Sequence, residues 1–141
     1  MSLESIIGIA GGAMDAQSRR LSLSAQNIAN ADVLAGSQEQ AYKAKRVEFQ
    51  TILQNTVDDR RRETEGGVRI GSEYEDEKIV PATYQPENPL ADDNGFVYPS
   101  NVDSMLEMVE ITQASRSFES SIEAMNTAKQ LSMRTLEILR K

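Results

Sequence analysis

The acidic side chains are the residues of this chain best placed, by type and spacing, to do chemistry. Glu73, Glu75, Asp76 and Glu77 crowd five positions, and paired carboxylates can act as acid and base on a glycosidic bond. That work needs one carboxyl in a dry pocket that raises its pKa. Alternate residues of a short exposed strand offer no such pocket, so a solvated acidic edge is the expectation. Asp92-Asp93-Asn94-Gly95 invites a Ca²⁺-loop reading. An EF-hand wants an oxygen ligand two residues before Asp92, where Leu90 stands, and a glutamate where Asn101 stands, so the segment is expected to be a turn. Gly8-Ile9-Ala10-Gly11-Gly12 lacks both a preceding strand and the Lys-Ser/Thr of a phosphate loop. With no Cys and no His, thiol nucleophiles, disulfides, zinc fingers and imidazole catalysis are excluded. No enzyme, no cofactor and no metal is expected.

Charge is unevenly distributed. Of the net −7, residues 1–30 contribute zero and residues 101–141 contribute −1, from six acids against five bases. Residues 31–100 hold fourteen acids and eight bases and supply the remaining −6. Near-neutral ends can pack side by side, while an acidic middle suits water and disfavours nucleic acid or anionic lipid. Arg60, Arg61 and Arg62 are flanked by Asp58, Asp59 and Glu63, and read as part of a solvated charged loop. No apolar run approaches the ~20 residues needed to cross a bilayer. A cleaved secretory signal is not expected, because Glu4 sits where a positive region belongs and Asp15 interrupts the apolar stretch.

The elements that carry these residues are two long helices around a short-stranded middle. A 3.5-residue walk from Leu3 takes Ile7, Ala10, Met14, Gln17, Leu21, Ser24 and Ile28, six of the eight positions being apolar. This is a coiled-coil-like seam. Ser2 is a plausible N-cap and Glu4 suits the helix dipole. Gly8, Gly11 and Gly12 each cost about 1 kcal/mol in a helix interior, and Gly8 with Gly12 would admit a neighbouring backbone closely. A second walk takes Ile111, Ser115, Phe118, Ile122, Met125, Lys129, Ser132, Leu136 and Leu139, apolar at six of nine. Ser100 or Asn101 is expected to cap this helix, Ser100 pairing with Asp103 in a capping box. Met105, Met108, Met125 and Met133 recur at helical spacing, and their soft side chains suit non-identical neighbours.

Between the helices, Val68, Ile70, Ser72 and Tyr74 alternate with polar residues as a strand. Lys78 to Tyr84 gives a second short strand, demoted to an edge by Pro81. Phe96 to Tyr98 gives a third. Tyr42 to Gln54 reads equally as strand, short helix or extended arm. The expectation is a mainly α fold. Its terminal helices, residues 1–30 and 101–141, form one discontinuous helical domain and pack as a coiled-coil-like pair, with a small β-rich or extended middle at 31–100. The assembly seam comprises Leu3, Ile7, Ala10, Met14, Leu21, Ile28, Ile111, Phe118, Ile122, Met125, Leu136 and Leu139. So long a pair of helices with so little between them to cover it implies partners.

The stretch Leu21 to Asn30, ending in Asn27, Ala29 and Asn30, resembles the N-terminal motif of the bacterial flagellar axial proteins, the rod and hook family. Two amides at a helix end can cap carbonyls and bind the backbone of a neighbouring subunit. Tyr84 to Asp103, with Pro86, Pro89, Asp92, Gly95, Asn101 and Asp103, is similar to the central segment of the proximal-rod branch of that family. Met108 to Lys129 resembles its C-terminal helix. Ser100 is an extra residue relative to that pattern, and Asp58 to Glu65 departs from it as a charged insertion. The resemblance implies a non-enzymatic subunit of the periplasmic rod, a hollow torque-transmitting shaft with terminal helices inside and the middle outside. It implies export unfolded through the flagellar export apparatus, without a cleaved signal. The implied partners are copies of the chain, other flagellar rod proteins and the rod-base adaptor, with no nucleic acid and no direct membrane insertion. The alternatives are another rod protein of the same family or a cytoplasmic helical adaptor or chaperone.

Overall fold

The computed structural model describes residues 3–54 and 65–139. Helix α1 runs Leu3–Ala29 and helix α2 runs Ser104–Leu139, about 40 and 54 Å at 1.5 Å per residue. Between them lie β1 (Leu34–Ala35), β2 (Lys45–Gln54), β3 (Glu65–Glu75), β4 (Thr83–Tyr84) and β5 (Phe96–Pro99). β5 is the centre of a three-stranded antiparallel sheet ordered β1-β5-β4, and β2 pairs with β3 in a second sheet. Leu34 lies opposite Pro99, and Tyr84 lies opposite Phe96. The two-helix, small-sheet architecture agrees with the sequence. Among the described residues no helix is long and apolar enough to cross a membrane.

Local chemistry decides the details. Asp103, not Ser100 or Asn101, caps α2: its Oδ1 accepts from Met105 N at 2.9 Å and Leu106 N at 3.2 Å. The Ser100 hydroxyl donates instead to Ala31 O at 2.6 Å, across 69 residues of sequence. Of the segment 42–54, ambiguous in sequence, Lys45–Gln54 becomes strand β2 and 42–44 lead into it outside any strand. The strand expected from Lys78 shrinks to Thr83–Tyr84. Pro81 donates nothing, and side chains satisfy the backbone before it: Lys78 N donates to Asp76 Oδ1 and Lys78 O accepts from Asn101 Nδ2. Asp92 to Gly95 is a turn, as expected. Gly95 is its left-handed residue, with φ +81°. The Ser2 cap and the charged run through residue 64 lie outside the described residues.

The chain divides into two compact units. One comprises Met1–Arg19, Glu48–Ser72 and Gln113–Lys141, and the other Arg20–Val47 and Glu73–Thr112. Among described residues, the buried apolar side chains of the first unit are Ala10, Ala16, Ala114 and Ala128. In this unit a Cβ added at Gly12 would stand 3.0 Å from Val68 O. The close approach anticipated at the glycines is therefore to a strand backbone, at Gly12, whereas the side of Gly8 is open. The second unit buries Leu23, Ala41, Ala44 and Val97 together with Ser24, Asn27, Ser100 and Glu107.

Candidate assembly interface

The second unit is built around five residues of extended chain, Tyr42 to Arg46, held from three sides. From α1, the fully buried Asn27 donates through Nδ2 to Lys45 O at 3.0 Å and accepts at Oδ1 from Lys45 N at 2.9 Å. One side-chain amide thereby reproduces both hydrogen bonds that a neighbouring strand would give Lys45. The Tyr42 hydroxyl donates to the same Oδ1 at 3.1 Å. From the loop before α2, Asn101 Oδ1 accepts from Ala44 N at 2.6 Å, while its Nδ2 donates to Asp76 O and Lys78 O. From α2 itself, Glu107 brings a fully buried carboxylate to Arg46, whose Nη2 lies 3.0 Å from Oε1. That contact is an ion pair by charge and distance, without a hydrogen bond aligned on either carboxylate oxygen. Arg20 of α1 pairs with Glu110 of α2 nearby.

The family-motif residues thus bind their own chain. Asn27 grips Lys45, Asn30 Nδ2 caps Gln26 O at 2.7 Å, and Asp103 caps α2. Asp92 orders the loop before β5: Oδ1 accepts from Asn94 N and Phe96 N at 2.9 and 2.8 Å, and Oδ2 accepts from Tyr98 Oη at 3.3 Å. The Phe96 and Asn94 amides and the Tyr98 hydroxyl hold the Asp92 carboxyl below its usual range. Burial and the Asp92 charge push the Tyr98 hydroxyl up. Burial pushes the Tyr42 hydroxyl up, and the Glu107 and Glu75 carboxylates add to it. Pro86 and Pro89 are exposed, Ala29 is exposed, and Glu73, Glu75 and Glu77 are exposed rather than gathered in a pocket.

The seam residues are not all covered by their own chain. Ala10 is buried; Met14, Leu21, Ile28, Ile111, Phe118 and Met125 are half-buried; Ile7, Ile122 and Leu136 are exposed, Leu136 at 66%. The side chains of Leu3 and Leu139 lie outside the described set. In the first unit, Ile6, Ile9, Ala10 and Ala13 of α1 and Ser120, Ser121 and Ala124 of α2 line an open groove of about 310 Å³. Sequence reasoning missed Glu107 and Arg46. The seam periodicity gave no sign of them: one step back along the α2 walk from Ile111 lands on the apolar Met108, and Arg46 lies about sixty residues away in sequence.

Residues 93–138 match the family described as flagellar basal body rod FlgEFG protein, C-terminal. Over 138 residues, and 98% of each chain, the sequence is 44% identical to the flagellar basal-body rod protein FlgC of Salmonella typhimurium and 45% identical to that of Yersinia enterocolitica. It is 41% identical over the same span to FlgC of Escherichia coli O157:H7.

Proposed function

The chain belongs to the FlgC family of flagellar basal-body rod proteins, and from that membership we propose how it works as a structural subunit of the rod: its terminal helices are covered in full only by neighbouring subunits. The observation that carries this reading is the C-terminal part of α2. Leu131, Met133, Leu136 and Ile138 are all exposed, two on each of two opposite sides of the helix. A helix apolar on opposite sides is one made to be enclosed. Burying such side chains is worth about 1.5–3 kcal/mol each, so contact with neighbours is the natural source of order at this end.

In this reading the chain catalyses nothing and binds no cofactor. The terminal helices act together as one helical domain inside a hollow, torque-transmitting proximal rod, packed coiled-coil fashion with copies of the chain and with other rod proteins. The acidic middle faces outward. The subunit sits in the periplasmic part of the basal body, next to the rod-base adaptor, after export through the flagellar apparatus without a cleaved signal.

Ile122→Asp and Leu136→Asp test the assignment. Both positions are exposed, so each variant should be made and should keep the fold of the second unit. Each should then be missing from purified basal bodies, and the cells should not swim. Normal swimming with either aspartate in place would refute the seam.

A further inference from the structure

The turn ahead of β5 holds the only Asn-Gly pair in the sequence. Of the seven asparagines, Asn94 alone is followed by glycine; the others precede Ile28, Ala31, Thr56, Pro89, Val102 and Thr127. An asparagine side chain is an electrophile toward the next backbone nitrogen. That nitrogen attacks Cγ, a five-membered imide forms and ammonia leaves. Water then opens the imide at either carbonyl. One product is an ordinary aspartyl peptide. The other carries the main chain through the side-chain carbons and so adds a methylene to the backbone. Glycine has no Cβ to shield its nitrogen or restrict its approach, which makes Asn94 the most reactive asparagine of this chain by type.

The fold closes that path. Gly95 N donates to Asp92 O at 2.9 Å, so Asp92 to Gly95 is a hydrogen-bonded turn. Among the described residues no residue other than glycine has a positive φ, which leaves a type I turn with Asn94 at its third position. There ψ is about 0°, and Gly95 N eclipses the backbone nitrogen of Asn94. Ring closure needs it to eclipse the Cβ instead. The Asp92 carboxylate fixes the turn: Oδ1 accepts from Asn94 N and Phe96 N at 2.9 and 2.8 Å, and Asp92 N donates to Phe96 O at 2.9 Å. Asn94 itself is exposed. Water reaches its amide, and what the turn denies is the backbone rotation.

We infer that Asn94 is a site of spontaneous conversion to aspartyl and β-linked aspartyl products, shut in the folded second unit and open in the unfolded chain. Time spent unfolded is then recorded in this turn. The record has a structural consequence. Gly95 O accepts from Gln85 N at 2.9 Å, and Tyr84 lies opposite Phe96 where β4 pairs with β5. A methylene added between Asp93 and Gly95 displaces Gly95 and Phe96 relative to Asp92, so the bonds that set this register cannot all form. The aspartyl product keeps the backbone length and places its charge in water.

The test keeps the full chain in buffer and in guanidinium chloride at one pH and temperature. Mass spectrometry and isoaspartyl methyltransferase labelling follow the peptide that spans Asn94. Conversion there should be at least about tenfold faster in denaturant, the factor given by ~1.4 kcal/mol of resistance to local opening. In denaturant it should also outrun every other asparagine. Equal rates in the two solutions would overturn the inference, as would an unfolded chain in which another asparagine reacts first. The β-linked chain, purified and returned to buffer, should lose the exchange protection of the Gln85 and Phe96 amides, whereas Asn94→Asp should keep it. Equal protection in those two chains would overturn the consequence for β5.

Discussion

The two compact units solve the problem of a small core in opposite ways. The unit of Arg20–Val47 and Glu73–Thr112 is tied by specific polar contacts within its own chain. All four buried polar or charged residues found among the described residues, Ser24, Asn27, Ser100 and Glu107, belong to it. The unit of Met1–Arg19, Glu48–Ser72 and Gln113–Lys141 fully buries only alanines among its described residues, its larger apolar side chains being half-buried, as at Ile6, Ile9 and Phe118, or exposed, as at Ile7, Ile122 and Leu136. Its Gln17 Oε1 is buried without a hydrogen-bond partner among the described residues. Buried polar networks fix one arrangement because any other leaves donors and acceptors unpaired. Alanine-on-alanine packing removes little apolar area, so the stability it supplies is small. The two units differ in where specificity lies: the second is fixed by buried hydrogen-bonding groups of its own chain, whereas the first, packed through alanines, draws little specificity from its buried residues.

The sharpest way to break this contrast is to remove the buried carboxylate. Glu107→Ala should destabilise the second unit by about 3–5 kcal/mol, since it leaves the Arg46 guanidinium facing a site that no longer neutralises it. The discount for the partial exposure of Arg46 puts the expectation at the lower end. The paired replacement Glu107→Leu with Arg46→Met should recover most of the loss, because an apolar pair of similar volume avoids the desolvation cost. Urea unfolding of the three proteins, followed by amide exchange at Ala44 and Arg46, checks both. Equal stability of Glu107→Ala and the unsubstituted chain would show that the clamp on Tyr42–Arg46 does not depend on the ion pair.

Next in size is Asn27→Ala. Three hydrogen bonds end on that amide, and truncation strands the N–H and C=O of Lys45 in a part-buried place. The expected loss is about 2–3 kcal/mol. Asn27→Asp keeps the acceptor but loses the Nδ2 donor to Lys45 O, so it should recover only part of the loss. The same measurement of unfolding separates them.

Much of this was legible beforehand, and the gaps have physical causes. Both helices were visible because a long 3.5-residue period survives the loss of a few positions. The strand at Val68–Tyr74 was visible by alternation. Residues 42–54 were not, because what makes them extended is not local: Asn27 and Asn101 hydrogen-bond the chain at Tyr42, Ala44 and Lys45, and β3 pairs with the strand that follows. The α2 cap was misplaced for a related reason. Ser100 and Asp103 both suit an N-cap by type, but the Ser100 hydroxyl is drawn off to Ala31 O, a partner no sequence window contains. The role of the family-motif asparagine was read in part. An amide binding backbone was expected, and the backbone it binds is that of its own chain.

A smaller perturbation tests the turn ahead of β5. Gly95 has φ +81°, and a Cβ there would stand 2.9 Å from the Tyr84 ring and 3.1 Å from Pro86 Cβ. The left-handed backbone alone costs an L-residue about 1–2 kcal/mol. Tyr84 is exposed and can swing aside, so Gly95→Ala should stay within that range and act only on the second unit. Loss of the first unit's protection against exchange in this variant would mean that the two regions do not fold as separately as their chemistry implies.

The finest test is a pH profile. The Tyr42 hydroxyl is pushed above its ordinary value of 10.0 by burial, with Glu107 and Glu75 adding to the shift. The folded unit therefore holds this proton more tightly than the unfolded chain does. The associated stability is fully present below about pH 10 and is lost as pH rises through the higher folded value. Tyr98 titrates in the same sense, raised by burial and by Asp92. Urea unfolding between pH 9 and 11 should show a stability of the second unit that declines with pH. Tyr42→Phe should remove part of that slope, at a cost of under about 1.5 kcal/mol at neutral pH for the lost bond to Asn27. The helix end at Leu131–Ile138 has no tyrosine, so its exchange should be indifferent to the substitution. A slope unchanged by Tyr42→Phe would mean that the hydroxyl ionises as freely in the folded unit as in water, and that the clamp around it is wetter than the contacts of Asn27 and Glu107 imply.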